Sequence, residues 1–408
     1  NAGATDRRSN DAVPDGENRR FRLYNGRRPQ QLKQIGEITM AKKYRVGIIG
    51  STGRGNYGHA LDEAFVGIEN CENIAVADDN AGGRANTANK LKVEQTFADY
   101  RKMMDKVKPD IVVIGPRWLD QHRDMAVAAA ERGIHIYMEK PFCRNLEEAD
   151  QIVDACERTH TKLAIAHPTR YSPKLDRVKR LIEAGRFGKV LEYRMRGKED
   201  GRGGGEDLWV LGSHIVDEVR ELAGHPKWCF AQVEEGGEPV SKKHVKEGAE
   251  GIGPLAGDSI RAMYGMPDGS TAYFGSVRNT AGRPSRFGLQ IYCSHGLIEI
   301  LTGTMPSVKC LRDRSWSPAR SGQKWLDVSS KGWDQPEDLK GPLYESSHTL
   351  AVTDLITAIE KGREPKSGMY EARGSVEMIA AVFESHRQGR PIQLPPKNRK
   401  NPLTLLTK

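Results

Sequence analysis

The stretch Tyr44–Gly58, which reads YRVGIIGSTGRGNYG, decides the fold of this 408-residue chain. Its first six residues form a short, mostly apolar run that is typical of a buried strand, and glycines follow at positions 50, 53, 55 and 58. Glycines there allow a tight turn and let main-chain N–H groups approach a pyrophosphate. The stretch therefore predicts the first strand and the phosphate loop of a dinucleotide-binding sheet.

A G-x-G-x-x-G pattern fits this turn in two registers. One starts at Gly50, with Thr52 in place of the second glycine, and the other starts three residues later at Gly53. We favour the first register, because Gly50 directly follows the strand, where the turn must occur. The residues that we expect to contact the cofactor from this loop are Gly50, Thr52, Gly53, Arg54 and Gly55. A helix is predicted to follow and to run through Ala64.

Downstream, apolar runs alternate with helical patterns as far as His167. One run, Ile111–Ile114, is continuous and β-branched, as expected for a strand buried on both faces. Such alternation predicts βαβ units and a doubly wound parallel sheet, a Rossmann domain over residues 40–167. From Cys229 to Val328, strand-like segments are separated by turn signals instead, and this pattern predicts a second, mostly antiparallel sheet. The second domain is expected over residues 168–396, followed by a tail at 397–408.

Residues 1–39 differ from the rest of the chain in composition. They are rich in Arg, Asn, Gln and Gly and show neither a helical nor a strand period, so a disordered leader is expected. Met40 is followed closely by the first strand and resembles a natural start, so an over-called reading frame is an alternative explanation for this segment. Neither interpretation includes a secretory signal, because no apolar h-region follows the arginine pairs.

Composition excludes several classes of protein. Lys and Arg total 63 against 54 Asp and Glu, a net charge of +9, but the two signs are interleaved and no nucleic-acid-binding stripe stands out. No apolar run approaches the length of a membrane span. The six cysteines have neither C-x-x-C spacing nor zinc-site geometry, so we expect no metal, a reducing compartment and a cytoplasmic location.

Asp78 ends the second predicted strand, and Asp79 follows it. A carboxylate there accepts hydrogen bonds from the adenosine ribose and repels a 2′-phosphate, so NAD is expected rather than NADP. Arg54 and Arg84 are candidate partners of a 2′-phosphate, and NADP therefore stays open.

Further motifs occur after the glycine turn. The strand at 135–138 ends in Glu139-Lys140-Pro141, and the segments RYSP (170–173), LIEAGRFGKV (181–190) and LGSHIVDEVREL (211–222) follow. Together with GIIGSTGRG (47–55) and IAVAD (74–78), these resemble the glucose–fructose oxidoreductase / inositol dehydrogenase (Gfo/Idh/MocA) family over residues 43 to 395. The resemblance implies a Rossmann domain, a second domain on an open sheet, a nicotinamide cofactor and a sugar or polyol substrate. It also implies dimers or tetramers formed through that sheet.

The resemblance assigns roles to individual residues. Lys140 matches the catalytic lysine, whose ammonium group can stabilise a developing alkoxide. His214 matches the histidine suited to take the hydroxyl proton, and Asp217 lies one helical turn further on. The residues expected to contact the substrate are Lys140, Arg170 and His214. The remaining cofactor contacts implied by the family are Asp78, Pro116, His122 and Glu139.

One departure from the family pattern matters for the chemistry. Many relatives read Asp-x-Gly-x-His, whereas this chain has Val210 at the aspartate position, four residues before His214. Candidate substitutes for that carboxylate are Glu206, Asp207 and Asp217. The glycine-rich loop at 201–207 is expected to be either a mobile cover or a plain linker.

Three functions remain open from the sequence. The first is an NAD(P)-dependent oxidoreductase that acts on the CH–OH group of a sugar, inositol or related polyol. The second is a redox-neutral sugar-processing enzyme of glycosidase or lyase type that retains NAD, which the missing carboxylate makes more credible. The third is a non-enzymatic, NAD-responsive regulatory protein, against which the presence of both Lys140 and His214 argues.

Overall fold

The computed structural model describes residues 42–346 and 348–407, so the expected leader at 1–39 lies outside the described residues. From Lys42 onward the chain forms one compact unit, which contains two large sheets. The first sheet carries the glycine turn, and the second supplies the platform for the helix that carries His214.

The first sheet has six parallel strands in the order β3-β2-β1-β4-β5-β6, the doubly wound arrangement that the sequence predicts. Its central strands are apolar and buried because helices cover both faces. The strands are β1 (Tyr44–Ile49), β2 (Cys71–Ala77), β3 (Gln95–Phe97), β4 (Ile111–Ile114), β5 (His135–Met138) and β6 (Leu163–Ile165). The helices between them are α1 (Ala81–Leu91), α2 (Tyr100–Val107), α3 (His122–Ala130) and α4 (Leu146–Thr159).

The helix predicted after β1 is wrong. Residues 51–66 form successive turns, with only a 3-10 turn at Leu61–Glu63. The reason is conformational: Gly53, Gly55 and Gly58 have positive φ, as do Asn56 and Ala60, and a right-handed helix cannot continue through left-handed residues.

The second sheet has ten strands, and only the β7–β13 pair is parallel. The open, mostly antiparallel sheet is therefore confirmed. The path runs β17-β16-β15-β14-β7-β13-β12-β8-β18, with β9 paired to β8. Its strands are β7 (Val190–Arg196), β8 (Trp228–Glu235), β9 (Glu238–Pro239), β12 (Ser259–Gly265), β13 (Thr271–Val277), β14 (Gly288–Cys293), β15 (Gly296–Leu301), β16 (Ser307–Leu311), β17 (Trp325–Asp327) and β18 (Ile392–Gln393). Two further short strands, β10 (Lys246–Glu247) and β11 (Pro254–Leu255), pair with each other in a separate two-stranded sheet.

Helices α6 and α7 carry the site residues that come from the second half of the chain, Val210 and His214. The glycine-rich segment is shorter than predicted, because α6 begins at Gly205, and α7 follows almost directly at Gly212. Leu211 separates the two helices. The helices of this half are α5 (Pro173–Glu183), α6 (Gly205–Val210), α7 (Gly212–Ala223), α8 (Pro318–Ser321), α9 (Pro342–Glu345), α10 (Thr349–Lys361) and α11 (Met369–Gln388).

The chain returns to the first sheet near its end. Helix α10 buries Val352, Leu355 and Ile356 in the same apolar cluster as residues of β1 and β4. The segment after α11 is also tied to the first half, since Arg399 pairs with Asp150 of α4 at 2.6 Å. The division at residue 167 stays a prediction, and the packing of α10 means that the two sheets share elements across it.

Candidate active site

The glycine turn is shaped by close main-chain approaches. Gly55 has φ +88°, and a Cβ there would lie 2.5 Å from the main-chain nitrogen of Arg117. At Gly50, a Cβ would overlap the ring of Tyr57. Gly53 has φ +89° but faces open space, so its requirement is conformational alone. The loop is therefore held flat against the ends of β1 and β4.

Asp78 is buried and already bound by the protein. Its carboxylate accepts hydrogen bonds from the Thr52 hydroxyl at 2.7 Å, from the Thr52 main-chain nitrogen at 3.2 Å and from the Asn80 main-chain nitrogen at 2.9 Å. Arg84 donates to the Asp78 main-chain carbonyl at 2.5 Å. Asp78 thus connects the glycine turn to the end of β2, while the neighbouring Asp79 is exposed.

A cleft of about 320 Å³ opens beside these groups. It lies at the carboxyl ends of β1, β2 and β3, where open α/β sheets bind nucleotides. The cleft is lined by Gly50, Ser51, Asp78, Asp79 and the Asp99–Arg101 turn, among other residues. The flat glycine turn and this cleft fit a dinucleotide.

Glu139 adds a second observation that fits a bound cofactor. Its side chain is 1% exposed, and its Oε2 has no hydrogen-bond partner among the described residues. A Cβ at Gly58 would lie 2.9 Å from that oxygen, so Oε2 lies directly beneath the glycine turn. The other oxygen, Oε1, is 2.7 Å from Nδ1 of His59. Burial raises the pKa of Glu139, but the His59 hydrogen bond and the Lys140 charge outweigh burial, and the net pKa is lowered.

The other expected cofactor contacts are arranged as follows. Arg54 pairs with Asp120, and its guanidinium lies 4.7 Å from the ring centre of Trp118. His122 is fully buried, with Nε2 2.7 Å from the Pro116 carbonyl and Nδ1 2.9 Å from the Pro141 carbonyl. Its ring therefore ties the end of β4 to the Glu139-Lys140-Pro141 segment, and neither nitrogen is free for a ligand.

Lys140 lies at the end of β5 and is 5% exposed. Its Nζ donates a hydrogen bond to the main-chain carbonyl of Val210 at 3.2 Å, so a residue of the first sheet reaches helix α6 of the second half. Burial lowers the pKa of Lys140, and the charge of Glu139 partly opposes that shift.

His214 lies on α7, one turn beyond the residue that Lys140 contacts. Its main-chain nitrogen donates to the Leu211 carbonyl at 3.1 Å. Burial lowers the pKa of His214 well below its usual value, and the positive charge of Lys140 lowers it further. A histidine held neutral in this way can accept a proton from a hydroxyl. The charge of Lys140 is thus close enough to act on His214, and the catalytic roles expected of the two residues stay predictions.

Arg170 and Asp217 form a buried ion pair beside His214. The Nε of Arg170 lies 2.9 Å from one carboxylate oxygen of Asp217 and 3.0 Å from the other, and its Nη1 pairs with Glu221. The pairing holds the pKa of Asp217 well below its usual range despite its burial. The expected roles of Arg170 at the substrate and of Asp217 in catalysis stay predictions, since both side chains are engaged by each other.

The carboxylates expected to replace the missing one at position 210 lie in different settings. Asp207 is fully buried and accepts hydrogen bonds from Ser276 at 2.6 Å and from the main chain of Glu199 at 3.0 Å, so it has a structural role. Glu206 is partly buried, and burial raises its pKa. A further carboxylate, Glu250, pairs with Arg117 at 3.4 Å and contributes to the electrostatics of Lys140. Glu250 has φ +53°, a strained conformation for this residue type.

Sequence reasoning missed Glu250 and His167. His167 is buried between His214 and Asp217, although nothing in the one-dimensional pattern around it signals chemistry. Its position directly after β6 was the available signal, because the carboxyl ends of neighbouring parallel strands meet at one edge. Among the described residues no cluster has the composition of a metal site, and no helix there is long and apolar enough to cross a membrane.

Known proteins are similar to this chain over most of its described length. Residues 44–167 match the GFO_IDH_MocA family model, described as an oxidoreductase family with an NAD-binding Rossmann fold. The scyllo-inositol 2-dehydrogenase (NAD(+)) of Bacillus subtilis is 24% identical over 363 residues, covering 87% of this chain and 97% of that protein. The levoglucosan dehydrogenase of Pseudarthrobacter phenanthrenivorans is 26% identical over 250 residues, covering 55% of this chain and 63% of that protein.

A solved structure shares the fold. A levoglucosan dehydrogenase in complex with NADH superposes with a TM-score of 0.69 at 20% identity, covering 86% of this chain and 99% of that one. At 20% identity, this similarity shows a shared fold and no more.

Proposed function

We propose that the chain is a member of the Gfo/Idh/MocA family of oxidoreductases and transfers a hydride between NAD and a hydroxyl-bearing carbon of a sugar, inositol or related polyol. The observation that carries the proposal is the convergence of Lys140, from the end of β5, and His214, from α7. An ammonium group and a neutral imidazole are what the oxidation of an alcohol requires beside a hydride acceptor.

The cofactor site uses groups of the first sheet. The glycine turn at 50–55 and the cleft beside Asp78 would hold the dinucleotide, with Glu139 beneath the turn. Two successive carboxylates at the end of β2 favour NAD over NADP, because a 2′-phosphate would be repelled there. NAD, when bound, supplies the hydride acceptor for alcohol oxidation.

The protein's own residues handle charge and the proton. Lys140 orients the reacting hydroxyl by hydrogen bonding and stabilises the negative charge that develops on its oxygen as the O–H bond breaks. His214 accepts the proton at a ring nitrogen. Burial and the nearby charge of Lys140 keep His214 neutral before the transfer, so it is available as the proton acceptor.

The test is a turnover assay on a panel of sugars, inositols and polyols with NAD⁺ and, separately, NADP⁺. The proposal expects NADH in a one-to-one ratio with oxidised product for at least one substrate. Product formed without net NADH would favour the redox-neutral sugar-processing function instead. Binding of NADH with no turnover on any substrate, together with an NAD-dependent protein partner, would favour a regulatory protein.

We also propose that the chain forms dimers or tetramers through the open face of the second sheet. A cavity of about 610 Å³ on this sheet is lined by both apolar and charged groups, among them Phe274, Leu289, Arg194 and Glu299, and Tyr273 is 39% exposed. Light scattering of the protein together with a Tyr273→Glu variant tests this, since a charge on that face should shift the population toward monomers.

A further inference from the structure

His167 is a buried imidazole with unused hydrogen-bonding capacity. Its side chain is 3% exposed, and neither ring nitrogen has a partner within hydrogen-bonding distance among the described residues, although Nδ1 lies 3.6 Å from Oδ1 of Asp217. Buried polar groups are nearly always hydrogen-bonded, so this imidazole calls for an explanation. His122, a fully buried histidine at the start of α3, provides a contrast, because both of its nitrogens lie within hydrogen-bonding distance of main-chain carbonyls.

The neighbours of His167 place it between a base and an anion. Its ring lies edge-to-face with that of His214, with 5.4 Å between the ring centroids. On the other side, its Nδ1 is 3.6 Å from Oδ1 of Asp217. Asp217 is held in place by the Arg170 guanidinium, so its carboxylate is a fixed negative charge. The order in space is therefore His214, His167, Asp217.

We propose that His167 is a relay residue that takes the substrate proton from His214, with its tautomer fixed by Asp217. The inference rests on the proposed function and deepens it. As the substrate O–H bond breaks, its proton binds one ring nitrogen of His214. The proton on the second nitrogen of His214 then passes to Nε2 of His167, a transfer for which the two rings, whose centroids are 5.4 Å apart, must close to hydrogen-bonding distance. The Nδ1–H of His167 faces Asp217, and the resulting imidazolium lies beside that carboxylate. This transfer moves protons only and changes no oxidation state.

The charges around the pair explain why a second imidazole is useful here. His214 is faced by Lys140 from the end of β5 and by His59 from the glycine turn, and both disfavour a proton on it. His167 lies beside the Asp217 carboxylate, with 3.6 Å between Nδ1 and Oδ1, and Arg170 holds that carboxylate in place. The proton therefore moves away from Lys140 and toward a fixed anion. Val210 has no carboxylate side chain, so it cannot assist in accepting the proton, and another residue must do so.

The alternative is that His167 only supports Asp217 by donating a hydrogen bond from Nδ1. Two amide variants separate the roles. His167→Asn places an N–H donor near the Nδ1 position and His167→Gln places one near the Nε2 position, but neither can accept and release a proton. The relay predicts that kcat falls by about 10-fold to 100-fold in both variants, while KM and the NADH dissociation constant stay within about twofold. Recovery of kcat in His167→Asn alone would overturn the relay. The exposed His160→Asn is the matched control.

A second measurement does not depend on turnover. Histidine ring carbon-13 NMR of the cofactor-free protein follows the titration of His214, which is assigned with a His214→Asn variant. Coupled imidazoles titrate in two steps that belong to the pair. The relay predicts that His167→Asn raises the pKa of His214 and makes its titration a single step, whereas an unchanged His214 curve would overturn it. If no substrate turns over, the proposed function fails, and this titration still decides whether the two imidazoles share a proton.

Discussion

The Nζ of Lys140 donates a hydrogen bond to the main-chain carbonyl of Val210, while the side chain of Val210 packs in the apolar core. The contact between the two halves of the site is thus made by the backbone and is independent of the side chain at position 210. This explains how the chain accommodates valine where many relatives have aspartate. An aspartate at this position would extend among apolar groups.

A carboxylate at position 210 should therefore destabilise the protein without increasing its kcat. We expect Val210→Asp to lower the free energy of unfolding by about 3 kcal/mol or more, because an unpaired buried charge is costly. Urea unfolding measures the change, and Val210→Ala gives the cost of lost packing alone. A Val210→Asp protein of wild-type stability with a higher kcat would show that the side chain reaches the site.

Removing the ammonium group of Lys140 should abolish most of the turnover but should change NADH binding little. We expect Lys140→Met to lower kcat by about 100-fold or more, because the developing alkoxide loses its stabilising charge. NADH affinity, followed by fluorescence, should change by less than about threefold. The exposed Lys102→Met is the control. Equal losses of kcat and NADH affinity would indicate that Lys140 mainly holds the cofactor.

The pH dependence of turnover should reflect two lowered pKa values. Activity requires neutral His214 and charged Lys140, so kcat/KM should fall on the acid side well below pH 6.5 and on the alkaline side below 10.5. The charge of Glu139 raises the pKa of Lys140. Glu139→Gln should therefore move the alkaline limb to lower pH, which initial rates across a pH series would measure. An alkaline limb that stays in place would contradict this assignment of Lys140.

The glycine turn offers a matched pair of substitutions. Alanine at either Gly53 or Gly55 must adopt a left-handed conformation, which costs about 1 kcal/mol. Only at Gly55 does the added Cβ also strike the main chain of Arg117. We expect Gly55→Ala to weaken NADH binding much more than Gly53→Ala, as measured by fluorescence titration. Equal effects would mean that the cofactor does not depend on the close approach of this loop.

Glu218 should make stability depend on pH. It is buried on α7, its partners among the described residues are Thr302 and Thr169, and burial raises its pKa to about 8. A raised pKa in the folded state means that its contribution is fully present below the unfolded value and is lost as the pH rises through about 8. Glu218→Gln should therefore gain stability relative to wild type between pH 5 and pH 8.5, as measured by urea unfolding. The exposed Glu69→Gln should show no such gain.

Local signals in the sequence determined the first sheet. The strands at 44–49, 111–114 and 135–138 have the predicted bounds. Short apolar, β-branched runs that are bounded by glycines and polar turns typically form buried strands. The failure at 51–66 has a local cause as well: five residues with positive φ interrupt a segment whose composition allows a helix. Lys140 and His214 could be named from the resemblance, since motifs are contiguous in the chain.

Only the tertiary structure decided how these residues are used. Asp217 and Arg170 neutralise each other, His122 binds main-chain carbonyls, and His167 lies between His214 and Asp217. The partners in these contacts come from different strands and helices, and no periodicity encodes their distances. Sequence patterning reports which residues avoid water, whereas the pairing of buried polar groups depends on the three-dimensional packing that brings distant segments within hydrogen-bonding range.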